Sequence, residues 1–77
     1  MTWVIVDDTR GHTVNEVDLA DAEEGRYGES DAPDALYHSV SAAEDDMARL
    51  AELTGNRFRI RKYRSPGKPR KTFLLFI

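Results

Sequence analysis

The chain has 77 residues, no cysteine and a net charge of −3, which limits it to one domain over residues 1–77 and excludes disulfide bonds and thiolate zinc sites. A chain of this length buries only about 60% of its unfolded surface, so the core is thin and a large enzyme fold is excluded. The small net charge results from an uneven distribution of charge along the chain. Residues 1–56 contain all 14 acids and only three arginines, whereas residues 57–77 contain eight bases and no acid.

The first predicted element is a hairpin. Residues 2–6 are mostly β-branched or aromatic and are followed by two aspartates, which is typical of a strand. Asp8 and Gly11 stand first and fourth in the next tetrapeptide, the positions that these residues prefer in a type I turn. Residues 12–17 are predicted to return as the second strand.

The segment 18–39 is acidic and shows no sustained hydrophobic period. We predict that it is irregular, with a short helical turn after Pro33. Irregular segments of this length are uncommon in compact domains and are often functional.

A helix is predicted over residues 41–54. Ser41 and Glu44 have the spacing of a capping box, in which each side chain satisfies a backbone N–H of the first turn. Gly55 follows as a C-terminal cap. The apolar side chains of one helix face are Ala43, Met47, Leu50 and Ala51.

The last third of the chain predicts a basic hairpin. Residues 57–61 alternate between arginine and apolar side chains, the pattern of a half-buried strand. Residues 65–69 are rich in turn formers, and residues 72–77 are predicted to form a final apolar strand. The fold class is therefore α+β of the β-β-α-β-β type, with an antiparallel or mixed sheet of three to four strands and one helix on one face.

The first and last predicted strands, 2–6 and 72–77, are apolar at consecutive positions, which implies that they are buried on both faces of the sheet. One amphipathic helix covers only one face. The other face needs the segment 18–39, a second copy of the chain or a partner protein. An apolar patch left uncovered would mark an interaction site or a homodimer interface.

Residues for catalysis, metals and nucleotides do not form recognisable motifs. His38 and Ser39 are neighbours, but no Gly-x-Ser-x-Gly turn is present. The only histidines, His12 and His38, are too far apart for a zinc motif, and Gly67-Lys68 lacks the serine or threonine of a phosphate-binding loop. We therefore expect no catalysis, no metal and no cofactor.

Two charged surfaces remain as candidate binding sites. A rigid array of carboxylates imitates a phosphate backbone and steers association with a basic partner. The acidic candidates are Asp18, Asp21, Glu23, Glu24, Glu29, Asp31, Asp34, Glu44, Asp45 and Asp46. The basic hairpin suits phosphate contact with stacking on an aromatic ring. Its candidates are Arg57, Arg59, Arg61, Tyr63, Lys68, Arg70 and Lys71.

The order of these features resembles that of small phage or mobile-element proteins that inhibit host defence, including anti-CRISPR proteins. It consists of a strand at 3–6, an acidic segment at 18–34, a capped helix at 41–54 and a strand at 73–77. The resemblance is one of size and plan, without a shared motif. It implies a miniature α+β inhibitor without catalysis, whose acidic surface blocks DNA entry to its target. The basic hairpin departs from the simplest DNA mimic, and a β-grasp arrangement is the structural alternative.

The leading hypothesis is thus a binding protein that occludes a partner, such as a nucleic-acid-handling complex, through the acidic residues of 18–46. The alternative is a nucleic-acid-binding module that uses the basic hairpin 57–71. A structural homo-oligomer is the third hypothesis, and we expect a monomer or a homodimer. The chain lacks an apolar run near 18 residues and a basic region before its first apolar stretch. We therefore expect no membrane span, no signal peptide and a cytoplasmic setting, that of the host if a phage encodes the protein.

Overall fold

The computed structural model describes residues 1–64. In chain order its elements are β1 (Trp3–Asp7), β2 (His12–Thr13), α1 (Asp18–Glu23), α2 (Val40–Thr54) and β3 (Phe58–Lys62). The sheet is antiparallel with the strand order β2-β1-β3. This is a small α+β fold, as the sequence predicts. The predicted connection 65–69 and the predicted strand 72–77 lie outside the described residues.

Strand β1 is central because it is the most apolar stretch of the described chain. Val4, Ile5 and Val6 are all buried, as their consecutive apolar pattern predicts. Across from β1, strand β3 pairs over five positions, from Trp3 opposite Lys62 to Asp7 opposite Phe58. On the other edge β2 pairs over two positions only.

The second strand is shorter than predicted because local side chains compete for its backbone. Asn15 N donates to Asp18 Oδ2 at 2.8 Å, and Val17 N donates to Asn15 Oδ1 at 2.9 Å. Asparagine and aspartate make such bonds in place of ladder bonds, so the chain turns into α1. The expectation that 18–39 is irregular is therefore wrong for Asp18–Glu23, and the expectation of one helix is wrong as well.

Helix α2 begins at Val40, one residue earlier than predicted, and its cap is Ser39 rather than Ser41. Ser39 has extended backbone angles, and its Oγ accepts from Ala42 N at 3.1 Å. The backbone of Tyr37 exchanges hydrogen bonds with Trp3, so the chain is extended just before Ser39. Gly55 is the C-terminal cap, as predicted, because its φ of 76° lies in the left-handed region that favours glycine.

The core lies between the sheet and the two helices. Its buried residues are Ile5, Val14, Ala22, Ala43 and Leu50. Half-buried aromatic and aliphatic side chains surround them, among which Tyr27 and Phe58 approach each other edge to face at 6.4 Å between ring centroids. Helix α1 packs on α2, and Arg49 Nε lies 3.5 Å from Glu23 Oε2 across that contact.

The segment between α1 and α2 runs along the sheet edge. Ala35 N donates to Val14 O at 3.0 Å, and Tyr37 and Trp3 exchange two backbone hydrogen bonds. Isolated antiparallel bridges join Trp3 to Tyr37 and Asn15 to Asp34. Residues 34–37 thus pair beside the strands, while α1 packs on α2, so neither of these parts of 18–39 lies over the face of β1 that carries Val4 and Val6.

Candidate functional site

A hydrogen-bond network centres on Asp7, at the carboxyl end of β1. This side chain is fully buried. Its Oδ1 accepts from the backbone N–H groups of Thr9 and Arg10, at 2.8 and 2.9 Å. Its Oδ2 accepts from Tyr27 Oη at 2.8 Å and from Asn56 Nδ2 at 2.9 Å.

The turn after β1 explains half of this network. An aspartate at the start of a turn accepts from the backbone N–H groups two and three residues later, and Asp7 does so here. Burial raises the pKa of Asp7, but the hydrogen bonds from Arg10, Asn56, Tyr27 and Thr9 outweigh it and hold the pKa below its usual value. Asp7 is therefore a buried carboxylate that ties the first hairpin to Tyr27 and Asn56.

Tyr27 connects the Asp7 carboxylate to His12. Its Oη lies 3.4 Å from His12 Nε2, and the Arg10 guanidinium lies 5.7 Å from the centroid of its ring. Burial raises the pKa of the Tyr27 hydroxyl, and its hydrogen bond to Asp7 raises it further. Tyr27 is thus a hydrogen-bond donor that positions its neighbours and is not suited to act as a base near neutral pH.

Asp18 is the second fully buried carboxylate of the site. Its Oδ2 accepts from Asn15 N at 2.8 Å and lies 3.7 Å from His12 Nε2. Its Oδ1 is buried and has no hydrogen-bond partner among residues 1–64.

A cavity of about 270 Å³ lies beside Asp18 and His12, between the first hairpin and the loop before α2. Its polar lining includes Arg10, His12, Asp18, Ser30, Asp31 and Asp34. Gly28 also lines it, at a φ of +84°, and a Cβ at this position would collide with the Arg10 guanidinium. The glycine therefore lets Arg10 lie flat against the loop, where Nη1 donates to Tyr27 O at 3.3 Å.

The predicted acidic residues divide into two groups. Asp18 and Asp21 are buried, so these two carboxylates are not part of an exposed surface. The exposed members are Glu23, Glu24, Glu29, Asp31, Asp34, Glu44 and Asp45, and Asp46 is half-buried. The physical reason is the amphipathic turn of α1, which directs Asp18, Asp21 and Ala22 inward and leaves Glu23 outside.

Some of these predicted acids already have partners. Glu24 lies 2.6 Å from Arg26, Glu23 pairs with Arg49, and Asp46 Oδ2 accepts from Tyr37 Oη at 2.7 Å. The remaining exposed members of the predicted acidic set make no ion pair within the described part of the chain. They are Glu29, Asp31, Asp34, Glu44 and Asp45.

The predicted basic residues are only partly described. Arg57, Arg59 and Arg61 are exposed, and Tyr63 is half-buried. Arg59 Nε donates to Asp8 Oδ1 at 2.9 Å, so one of these charges is paired within the protein. Lys68, Arg70 and Lys71 lie outside the described residues.

Sequence reasoning missed the network of Asp7, Tyr27 and Asn56. The aspartate after an apolar strand was a visible turn signal, but its partners are 20 and 49 residues away in sequence. No local pattern indicates such a grouping.

Comparison of the chain with known protein families, with curated proteins and with solved structures finds no match. Within residues 1–64, His, Asp and Glu side chains do not form any group of three or more that is placed to hold a metal ion. No helix in this part of the chain is long and apolar enough to cross a membrane.

Proposed function

We propose that the protein is a small binding protein without catalysis that occludes a partner protein, of the anti-CRISPR-like kind, in which carboxylates imitate the phosphates of DNA. The acidic surface is defined as Glu29, Asp31, Asp34, Glu44 and Asp45. The observation that carries the proposal is that these carboxylates are exposed and unpaired within residues 1–64. The acids of the loop, Glu29, Asp31 and Asp34, neither pair with a base nor cap a helix within residues 1–64.

The loop part of the acidic surface is held in place by hydrogen bonds. Asn15 Nδ2 donates to Ser30 O at 3.0 Å, and Glu16 N donates to Pro33 O at 2.9 Å. Because the backbone around Asp31 and Asp34 is anchored in this way, these carboxylates lose less freedom on binding than those of a free loop. A preorganised array of negative charge favours a basic partner, such as the nucleic-acid channel of a larger complex.

The test is a charge reversal with a matched control. The doubly substituted chain Glu29→Lys/Asp31→Lys changes two charges of the acidic surface. The control Asp8→Lys/Glu52→Lys changes the total charge equally at two exposed acids elsewhere, whose ion pairs with Arg59 and Arg49 contribute little to stability. The tagged 77-residue chain captures its partner from lysate, and displacement of labelled DNA from that partner is measured by fluorescence anisotropy.

We expect the Glu29→Lys/Asp31→Lys chain to displace DNA at least about tenfold less effectively, because each reversal replaces an attraction of about 0.5–1 kcal/mol by a repulsion of similar size, and about 1.4 kcal/mol in total is already tenfold. The control chain should stay within about twofold of the unsubstituted protein on the same grounds. Equal displacement by all three chains would contradict the proposal.

The alternative function is nucleic-acid binding by the basic hairpin. The exposed side chains of Arg57 and Arg61 favour it, since neither pairs with an acid within residues 1–64. Labelled duplex DNA and single-stranded RNA are titrated with the full chain at about 50 and about 200 mM salt, where phosphate contacts predict a steep loss of affinity. No binding at the lower salt would reject this function.

A homo-oligomer is the third candidate, but Val4, Ile5 and Val6 are already buried within a single chain, so the burial of β1 does not require a second copy. Light scattering over a concentration series measures the mass directly. A mass that stays monomeric at every concentration would reject it.

A further inference from the structure

We draw no further inference here: the strongest candidate, the outer edge of strand β3, carries none because no strand pairs with it within residues 1–64 and nothing in the structure shows what covers it.

Discussion

Replacement of Asp7 by asparagine tests whether the buried carboxylate holds the hairpin, Tyr27 and Asn56 together. Asparagine has nearly the same shape but only one acceptor oxygen. If that oxygen stays with the two backbone N–H groups, the new amide nitrogen faces Asn56 Nδ2, which is also a donor. Tyr27 can turn its hydroxyl to accept, whereas Asn56 loses its partner.

The expected cost follows from these contacts. A hydrogen bond to a charged group contributes about 1.5–3 kcal/mol, and a buried donor that loses its partner costs a further 1–3 kcal/mol or so. Since the backbone bonds survive in weaker, neutral form, we expect Asp7→Asn to lower the free energy of unfolding by about 3 kcal/mol at neutral pH. A 77-residue chain has about 4–12 kcal/mol in total, so the loss is a large fraction.

The effect depends on pH in a defined direction. The pKa of Asp7 is lower in the folded protein than the value of about 3.9 for an unfolded aspartate. Its stabilisation is therefore present above pH 4 or so and is lost as the pH falls through the lower, folded value. The gap in stability between the unsubstituted chain and Asp7→Asn should narrow below about pH 4.

Urea unfolding followed by Trp3 fluorescence and far-ultraviolet circular dichroism measures both quantities. The matched control is Asp8→Asn, which neighbours Asp7 but whose exposed side chain pairs only with Arg59. That control should cost less than about 1 kcal/mol. The reasoning would be refuted by an Asp7→Asn chain within about 0.5 kcal/mol of the unsubstituted protein, or by a gap that stays constant down to pH 3 or so.

Two further predictions concern α2. Ser39→Ala should lower the free energy of unfolding by about 1 kcal/mol because it removes the cap bond to Ala42, whereas Ser41→Ala should leave it within about 0.5 kcal/mol. A larger effect of Ser41→Ala in urea unfolding would place the cap at Ser41. Leu50→Ala should cost about 2–5 kcal/mol because Leu50 is fully buried, while Leu36→Ala, at a side chain that is 46% exposed, should cost less than about 1 kcal/mol. Equal melting temperatures for the two leucine variants would contradict the assigned core.

The sequence predicted the elements whose stability is mainly local. Strand β1 follows from its β-branched run, and the end of α2 follows from the left-handed backbone at Gly55. Helix α1 was missed because six residues are too few for a periodic pattern to be visible. A helix this short is stabilised by its packing on α2 rather than by its own propensity.

The candidate site was less predictable because its bonds are between distant residues. Asp7 and Asn56 are hydrogen-bonded although they are 49 residues apart in sequence. The cavity that Asp18 lines forms only when the loop with Asp31 and Asp34 returns to the sheet edge. A count of acidic residues does not show which of them are buried. On the sequence alone Asp18 and Asp21 were therefore assigned to the same surface as Asp31, although α1 directs the first two side chains into the protein.

The sequence by itself therefore determined the fold class, the two principal described strands, the long helix and the separation of acidic from basic charge along the chain. These depend on hydrophobic period, turn chemistry and residue counts, all of which are local. The tertiary structure decided which carboxylates are buried, which are exposed and which two buried oxygens have no partner within residues 1–64. Burial and hydrogen-bond satisfaction depend on contacts between residues far apart in sequence, so only the folded chain defines them.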